Sequence, residues 1–262
     1  MDTTDFLARL PALWDSDPQT ADHPRDRRFG PVLEATRGMA TENKLALLNL
    51  AAQHLGPDEI YLEVGAWAGC SIIGASLGHP DRTFVTTDNF SEFGGPIDEC
   101  RANLASFGAE QVELVDGDFM SVLAKKALPG PVGVYFYDGA HAFEDQIHAL
   151  EIIEPLLADE ALVIVDDTSH PRVAAANRLY VGRRPQFELA VRYTSAFNGE
   201  PKWWDGVELY VFRRALGPGQ PPPLWPALVA RTRWGVAAVV ERSTLLAKRM
   251  VRKVIPASTA RG

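Results

Sequence analysis

The 262-residue chain has only two cysteines, Cys70 and Cys100. Two cysteines without paired spacings give no disulfide scaffold, and a reducing compartment is expected. An export signal is missing too: MDTTDFLARLPALW sets acids where a secretory leader carries lysines, and Arg9 and Pro11 break its apolar run. The expected location is therefore cytoplasmic. Positive charge is in deficit, with 26 Lys and Arg against 34 Asp and Glu and a formal net charge of -8. That balance argues against nucleic acid as a partner. There is no internal repeat, and no Gly-x-Gly-x-x-Gly to signal a pyrophosphate grip.

What is present is one sizeable core's worth of apolar residues, 46% hydrophobic against 23% charged. The charge is uneven. From residue 216 onward eight Lys and Arg face the single Glu241, giving +7 and leaving -15 for residues 1–215. Three parts are expected: a leader and lid candidate over 1–39, a folded domain over 40–215, and a proline-rich spacer with a basic helix over 216–262. Every apolar run in that tail is too short to span a bilayer. Its readings are contact with a partner or a second copy of the chain, which would make a homo-oligomer; peripheral attraction to an anionic membrane surface; or a solvated end.

Within the middle part, TENKLALLNLAAQHLG has leucines at helical spacing, with Thr41 as cap and Gly56 as stop. Apolar runs then alternate with helical segments: EIYLEV, RTFVTTD, QVELVDG, VGVYFYD and ALVIVDD read as strands, followed by ELAVRYTSAF and VELYVFRR as an edge hairpin. The pattern predicts an α/β fold, a doubly wound, mostly parallel seven-stranded sheet with an antiparallel edge hairpin. Ligands of such sheets sit beyond the carboxyl ends of the strands. An acid stands at nearly every one: Glu63, Asp88, Asp116 with Asp118, Asp138, and the pair Asp166 and Asp167.

YLEVGAWAGCS, residues 61–71, sets two glycines four apart after the first strand. Glycine permits positive φ and close approach of a ligand to the main chain, and the amides opening the next helix point at the same space. The alternative is a merely tight strand-to-helix turn. Asp88 ends the second strand where α/β nucleotide sites bind ribose hydroxyls; otherwise it caps a turn.

Here the chain resembles the class I S-adenosylmethionine-dependent methyltransferases of Rossmann-like fold, and within them the metal-dependent O-methyltransferases; LEVGAWAGCS is similar to the cofactor loop of the catechol-type enzymes. The resemblance covers roughly residues 40–213. It implies S-adenosylmethionine as cofactor, with Gly65 and Gly69 along its methionine part, Ser71 at its carboxylate, Asp88 at its ribose and Asp118 with Phe119 at its adenine, and with Glu63 and Ala66 of the same loop among the cofactor-binding residues. Asp138 counts among the cofactor contacts as well. Cys70 fills a small position inside the loop, and Trp67 is expected to pack beneath it.

A second group of residues is YFYDGAH at 135–141 with VIVDD at 163–167. One helix separates the two strands, so their ends emerge side by side and Asp138, Asp166 and Asp167 face one point. Unpaired carboxylates there would repel, and a hard divalent cation such as Mg2+ would relieve the repulsion. The bland reading is a helix-capping Asp138 and a polar loop. His141, near the start of the next helix, suits a general base near neutrality, with a surface residue or a fourth ligand as alternatives; His148 is read as structural. DGxH followed by an acidic pair resembles the macrocin-type sugar O-methyltransferases, whereas catechol-type relatives place a lysine at the position of His141.

The expected function is thus a magnesium-dependent O-methyltransferase acting on a hydroxyl of a small-molecule acceptor, a sugar-bearing natural product or glycan. The rivals are a metal-dependent hydrolase using the same aspartates and a non-catalytic binding protein. Lid candidates are NFSEFGGPIDE, NGEPKWWDG and the leader, and Trp203 and Trp204 are candidates to stack on a ring of the acceptor.

Overall fold

The computed structural model describes residues 1–125 and 128–217. The spacer and basic helix expected in the tail lie, from residue 218 on, outside the described residues. Seven strands form a sheet of order β3-β2-β1-β4-β5-β7-β6. They are β1 (Ile60–Val64), β2 (Thr83–Asp88), β3 (Val112–Asp116), β4 (Val132–Tyr137), β5 (Leu157–Asp166), β6 (Phe187–Tyr193) and β7 (Val207–Arg213). The first five run parallel, while β7 is antiparallel to both β5 and β6. β1 and β4 are buried along their whole length, which is why they read as mainly apolar runs, interrupted in β1 by Glu63. The expected seven strands and edge hairpin are all present.

Register places the site. Val64 lies opposite Thr87 on one side and Tyr137 on the other, and Asp88 lies opposite Asp116. The parallel strands therefore end together, and the acids at their ends share one rim. Strand order reverses between β1 and β4, where a crevice opens in folds of this kind.

Helices α3 (Glu42–Gln53), α4 (Cys70–Ser76) and α5 (Ile97–Ser106) cover one face. Helices α6 (Phe119–Lys125), α7 (Phe143–Ile153) and α8 (Pro171–Val181) cover the other. Thr41 caps α3 as expected, its hydroxyl accepting from Lys44 N at 3.2 Å.

The leader differs from expectation. It folds as α1 (Thr3–Arg9), a 3-10 turn over Leu10–Leu13 and α2 (Gly30–Ala35), and it buries Phe6, Leu10, Trp14, Phe29 and Val32 in the α3 core. Trp14 Nε1 donates to Asn43 Oδ1 at 2.8 Å, and Gln19 bonds the main chain of Thr194 in both directions. Residues this buried are part of the core, while Arg37, Gly38 and Met39 at the end of the leader reach the cavity described below. Trp203 is likewise corrected: it is fully buried, stacked on Tyr193 with centroids 4.1 Å apart, and its Nε1 donates to Pro18 O. It has no surface to offer an acceptor. Among the described residues no helix is long and apolar enough to cross a membrane.

Candidate active site

A cavity of about 810 Å3 opens over the carboxyl ends of β1, β2, β4 and β5. The glycine loop forms its floor. Gly65 has φ +101°, and a Cβ there would lie 2.0 Å from the Asp138 carbonyl oxygen, so β1 and β4 can end this close together only with glycine at that position. Gly69, at φ +90°, opens α4. Gly65, Ala66, Cys70 and Ser71 line the cavity, whereas Gly69 shapes the turn from behind. Burial pushes the Cys70 thiol up to about 11, so it stays protonated and inert.

Asp88 closes the loop. Its Oδ2 accepts from Trp67 N at 2.8 Å and its Oδ1 from Phe90 N at 2.7 Å. Trp67, expected beneath the loop, instead lines the cavity at φ +40°, its ring 5.7 Å from Phe93 with the Arg37 guanidinium above it. Its backbone amide is taken by Asp88. Asp118 and Phe119 line the far end; Asp118 Oδ2 accepts from Ser121 N, and the Phe119 ring meets Tyr137 edge-on.

Glu63 is also corrected. It is wholly buried beneath the loop and does not reach the cavity wall; its Oε1 accepts from the hydroxyls of Ser71 and Thr86, both at 3.1 Å. Oε2 has no partner among the described residues, and burial pushes the carboxyl up to about 8.

On the β4–β5 side, Asp138 comes directly after β4, Asp166 ends β5, and Asp167 turns back at φ +54°. Asp138, His141 and Asp167 form one group: a carboxylate oxygen from each acid and a ring nitrogen of His141 all lie within 4.8 Å of one another. His141 Nε2 and Asp167 Oδ2 are 2.7 Å apart. That contact raises the His141 pKa against the effect of burial. The Asp138 side chain has no hydrogen-bond or ion-pair partner among the described residues, and burial together with the charges of Asp166 and Asp167 pushes its carboxyl well up. An unpartnered carboxylate beside a second carboxylate and an imidazole is a donor set that suits a divalent cation.

Asp166, expected as a third ligand, is engaged otherwise. Its Oδ2 accepts from Lys44 Nζ at 2.6 Å and its Oδ1 from Asp167 N at 2.9 Å. Lys44 stands in no motif of the sequence. The signal for it is a lysine set in line with the apolar stripe of Leu47, Leu48 and Ala51 on α3, where a charge needs a buried partner. His148, read as structural, is exposed on the cavity wall, and Trp204, at φ +58°, lines the cavity beside Asn198.

The residues fit S-adenosylmethionine on the same kind of evidence. The floor is main chain that a Cβ at Gly65 would disrupt, and the Trp67 indole N–H in the wall is buried without a partner among the described residues.

Residues 62–168 match the family described as "Methyltransferase domain". Solved structures share the fold of this chain at TM-score 0.56. An O-methyltransferase from Bacillus cereus in complex with S-adenosylhomocysteine is 20% identical, covering 72% of this chain and 92% of that one. TomG, an O-methyltransferase from Streptomyces achromogenes involved in tomaymycin synthesis and solved with S-adenosylmethionine, is 22% identical, with 73% and 92% covered. Cofactor-bound Rv0187 from MTB is 23% identical, with 81% and 96% covered. No curated protein matches the chain in a sequence comparison.

Proposed function

We propose that the chain is an S-adenosylmethionine-dependent O-methyltransferase that uses a divalent cation, Mg2+, to methylate a hydroxyl of a sugar-bearing natural product or glycan. One observation carries the reading: an unpartnered Asp138 stands beside Asp167 and His141 in the same cavity whose floor is the glycine loop. A hydrolase would use the acids but leave the glycine loop, Asp88 and the family match without a purpose.

When bound, the cofactor supplies an electrophilic methyl group and the cation supplies Lewis acidity toward the acceptor oxygen. The chain does the rest. The loop from Gly65 to Ser71, with Asp88 and Phe119, seats the methyl donor, and Asp138 with Asp167 holds the cation. With its Nε2–H donated to Asp167, His141 keeps Nδ1 as the atom that takes the hydroxyl proton, as a base held in one tautomer by a carboxylate does. Trp204 and Asn198 at the rim offer a ring face and a polar edge, the pair of contacts a sugar uses. The DGxH motif with its acidic pair one strand later supports the sugar branch.

The deciding experiment is an acceptor screen reading S-adenosylhomocysteine release, with and without chelator. Release on hydroxylated sugars that stops on chelation is expected. Turnover unaffected by chelator would remove the metal from the proposal, and absence of S-adenosylmethionine binding in calorimetry would remove the methyl transfer.

A further inference from the structure

Lys44 is a buried charge on the wall of the same cavity, with no role assigned to it above in seating the methyl donor or taking a proton. It is the third residue of α3, 1% exposed, in line with the fully buried Leu47, Leu48 and Ala51. The leader holds this end of the helix: Asn43 Oδ1 accepts from Trp14 and its Nδ2 donates to Ala21 O, while the Thr41 hydroxyl donates to Lys202 O. Burying an ammonium and a carboxylate together gains little stability, because the lost hydration of both offsets their attraction. The pair must therefore be explained by what it positions.

The geometry supplies the explanation. Lys44 Nζ occupies one oxygen of Asp166 at 2.6 Å, and the other oxygen accepts from Asp167 N at 2.9 Å. That second bond holds the Asp167 main chain in the left-handed region, φ +54°, which a residue other than glycine seldom adopts unless its surroundings impose it. In this conformation Asp167 Oδ2 faces His141 Nε2 and stands within 4.8 Å of Asp138's ligand oxygen. We infer that Lys44 is a positioning residue: through Asp166 it fixes Asp167 in the orientation that completes the cation site. The inference rests on the proposed metal site.

The competing account makes Lys44 a placeholder that yields Asp166 to the arriving cation as a third carboxylate ligand. The two differ in sign. If Lys44 positions, its removal loosens the site and divalent binding weakens; if it competes, its removal frees a carboxylate and binding tightens.

The test is a Mn2+ titration of the metal-free full chain followed by electron spin resonance, on wild type, Lys44→Met, Asp166→Asn and the double variant, with S-adenosylmethionine affinity measured as a control for folding. The expected result is Mn2+ binding weaker by about tenfold in each single variant, the range in which outer-shell partners of metal ligands act. The double variant should be no worse than either single, because both act through one chain of contacts. Tighter or unchanged binding in Lys44→Met overturns the inference, and so do losses that add in the double variant. If Lys44→Met does not fold, the double variant, which removes both buried charges together, carries the same expectation against wild type, and wild-type affinity there overturns it. A wild-type chain that binds no Mn2+ sinks the metal reading itself, an outcome distinct from a chain that binds Mn2+ and ignores Lys44.

Discussion

Asp88 and Asp138 stand at equivalent places, each at the carboxyl end of a parallel strand and each on the wall of one cavity, yet they are engaged in opposite ways. Both oxygens of Asp88 accept main-chain N–H groups, from Trp67 and Phe90, so its charge shapes the loop that would seat the methyl donor. Asp138 accepts nothing among the described residues and is pushed up by burial and by its two acidic neighbours. The difference lies in the turn that leaves each strand. After β2 the chain doubles back through Phe90 at φ +49°, presenting an amide, while after β4 it runs through Gly139 and Ala140 to His141 and presents an imidazole. A strand-end acid is given access by the fold; its role is set by whether the local turn satisfies it.

The comparison breaks most visibly at Asp138. Asp138→Asn is expected to weaken Mn2+ binding and methyl transfer by more than about 100-fold, beyond what outer-shell partners cost, while the melting temperature stays level or rises because a repelling buried charge is gone. Retained Mn2+ affinity in this variant would make Asp138 a bystander. His141→Ala should come next, with turnover lower by about 100-fold, the usual share of a general base, and Mn2+ affinity unchanged. A matching fall in Mn2+ affinity would move His141 from base to ligand. Asp88→Ala should act on the other side of the cavity, costing about 2 kcal/mol of stability through two lost charge-assisted hydrogen bonds, and weakening S-adenosylmethionine but not Mn2+. Weakened Mn2+ binding would mean that the two acids are not separate in function.

Much of the fold and of the site was legible from the chain itself, for reasons that vary by residue. β1 and β4 are buried on both faces, so apart from Glu63 and Gly133 their residues are large and apolar or aromatic and mark themselves as strands. Gly65 was legible because a side chain cannot fit against Asp138, and Asp138 and Asp167 because strand–helix–strand connectivity forces neighbouring ends together. Lys44 was not, since a lysine in a leucine-rich helix is ordinarily a solvated residue and its partner lies 122 positions away. The packing of the leader escaped too, although Phe6, Leu10 and Trp14 recur at a four-residue interval that puts them on one helical face. Asp166 shows the limit of connectivity as a guide. The strand end delivers its carboxylate to the right place, and a helix from another part of the chain then takes up one of its oxygens.

Glu63 sharpens the contrast at the smallest scale, since it is an acid of the first strand that reaches neither the cavity nor a cation. Its folded-state value of about 8 lies above the ordinary 4.5, so between those values the folded chain holds a proton that the unfolded chain has released. Stability from this group is therefore fully present below about pH 4.5 and falls as pH rises toward 8, by at most about 1.4 kcal/mol per pH unit. Glu63→Gln keeps an oxygen for Ser71 and Thr86 and removes the titration. Thermal unfolding of the two proteins should then nearly coincide at pH 5 and separate by pH 8 in favour of the variant. A difference that does not change with pH would show that Glu63 is already ionised in the folded chain, its Oε2 satisfied by a buried water, and the loop would then rest on a charged support of the same kind as Asp88.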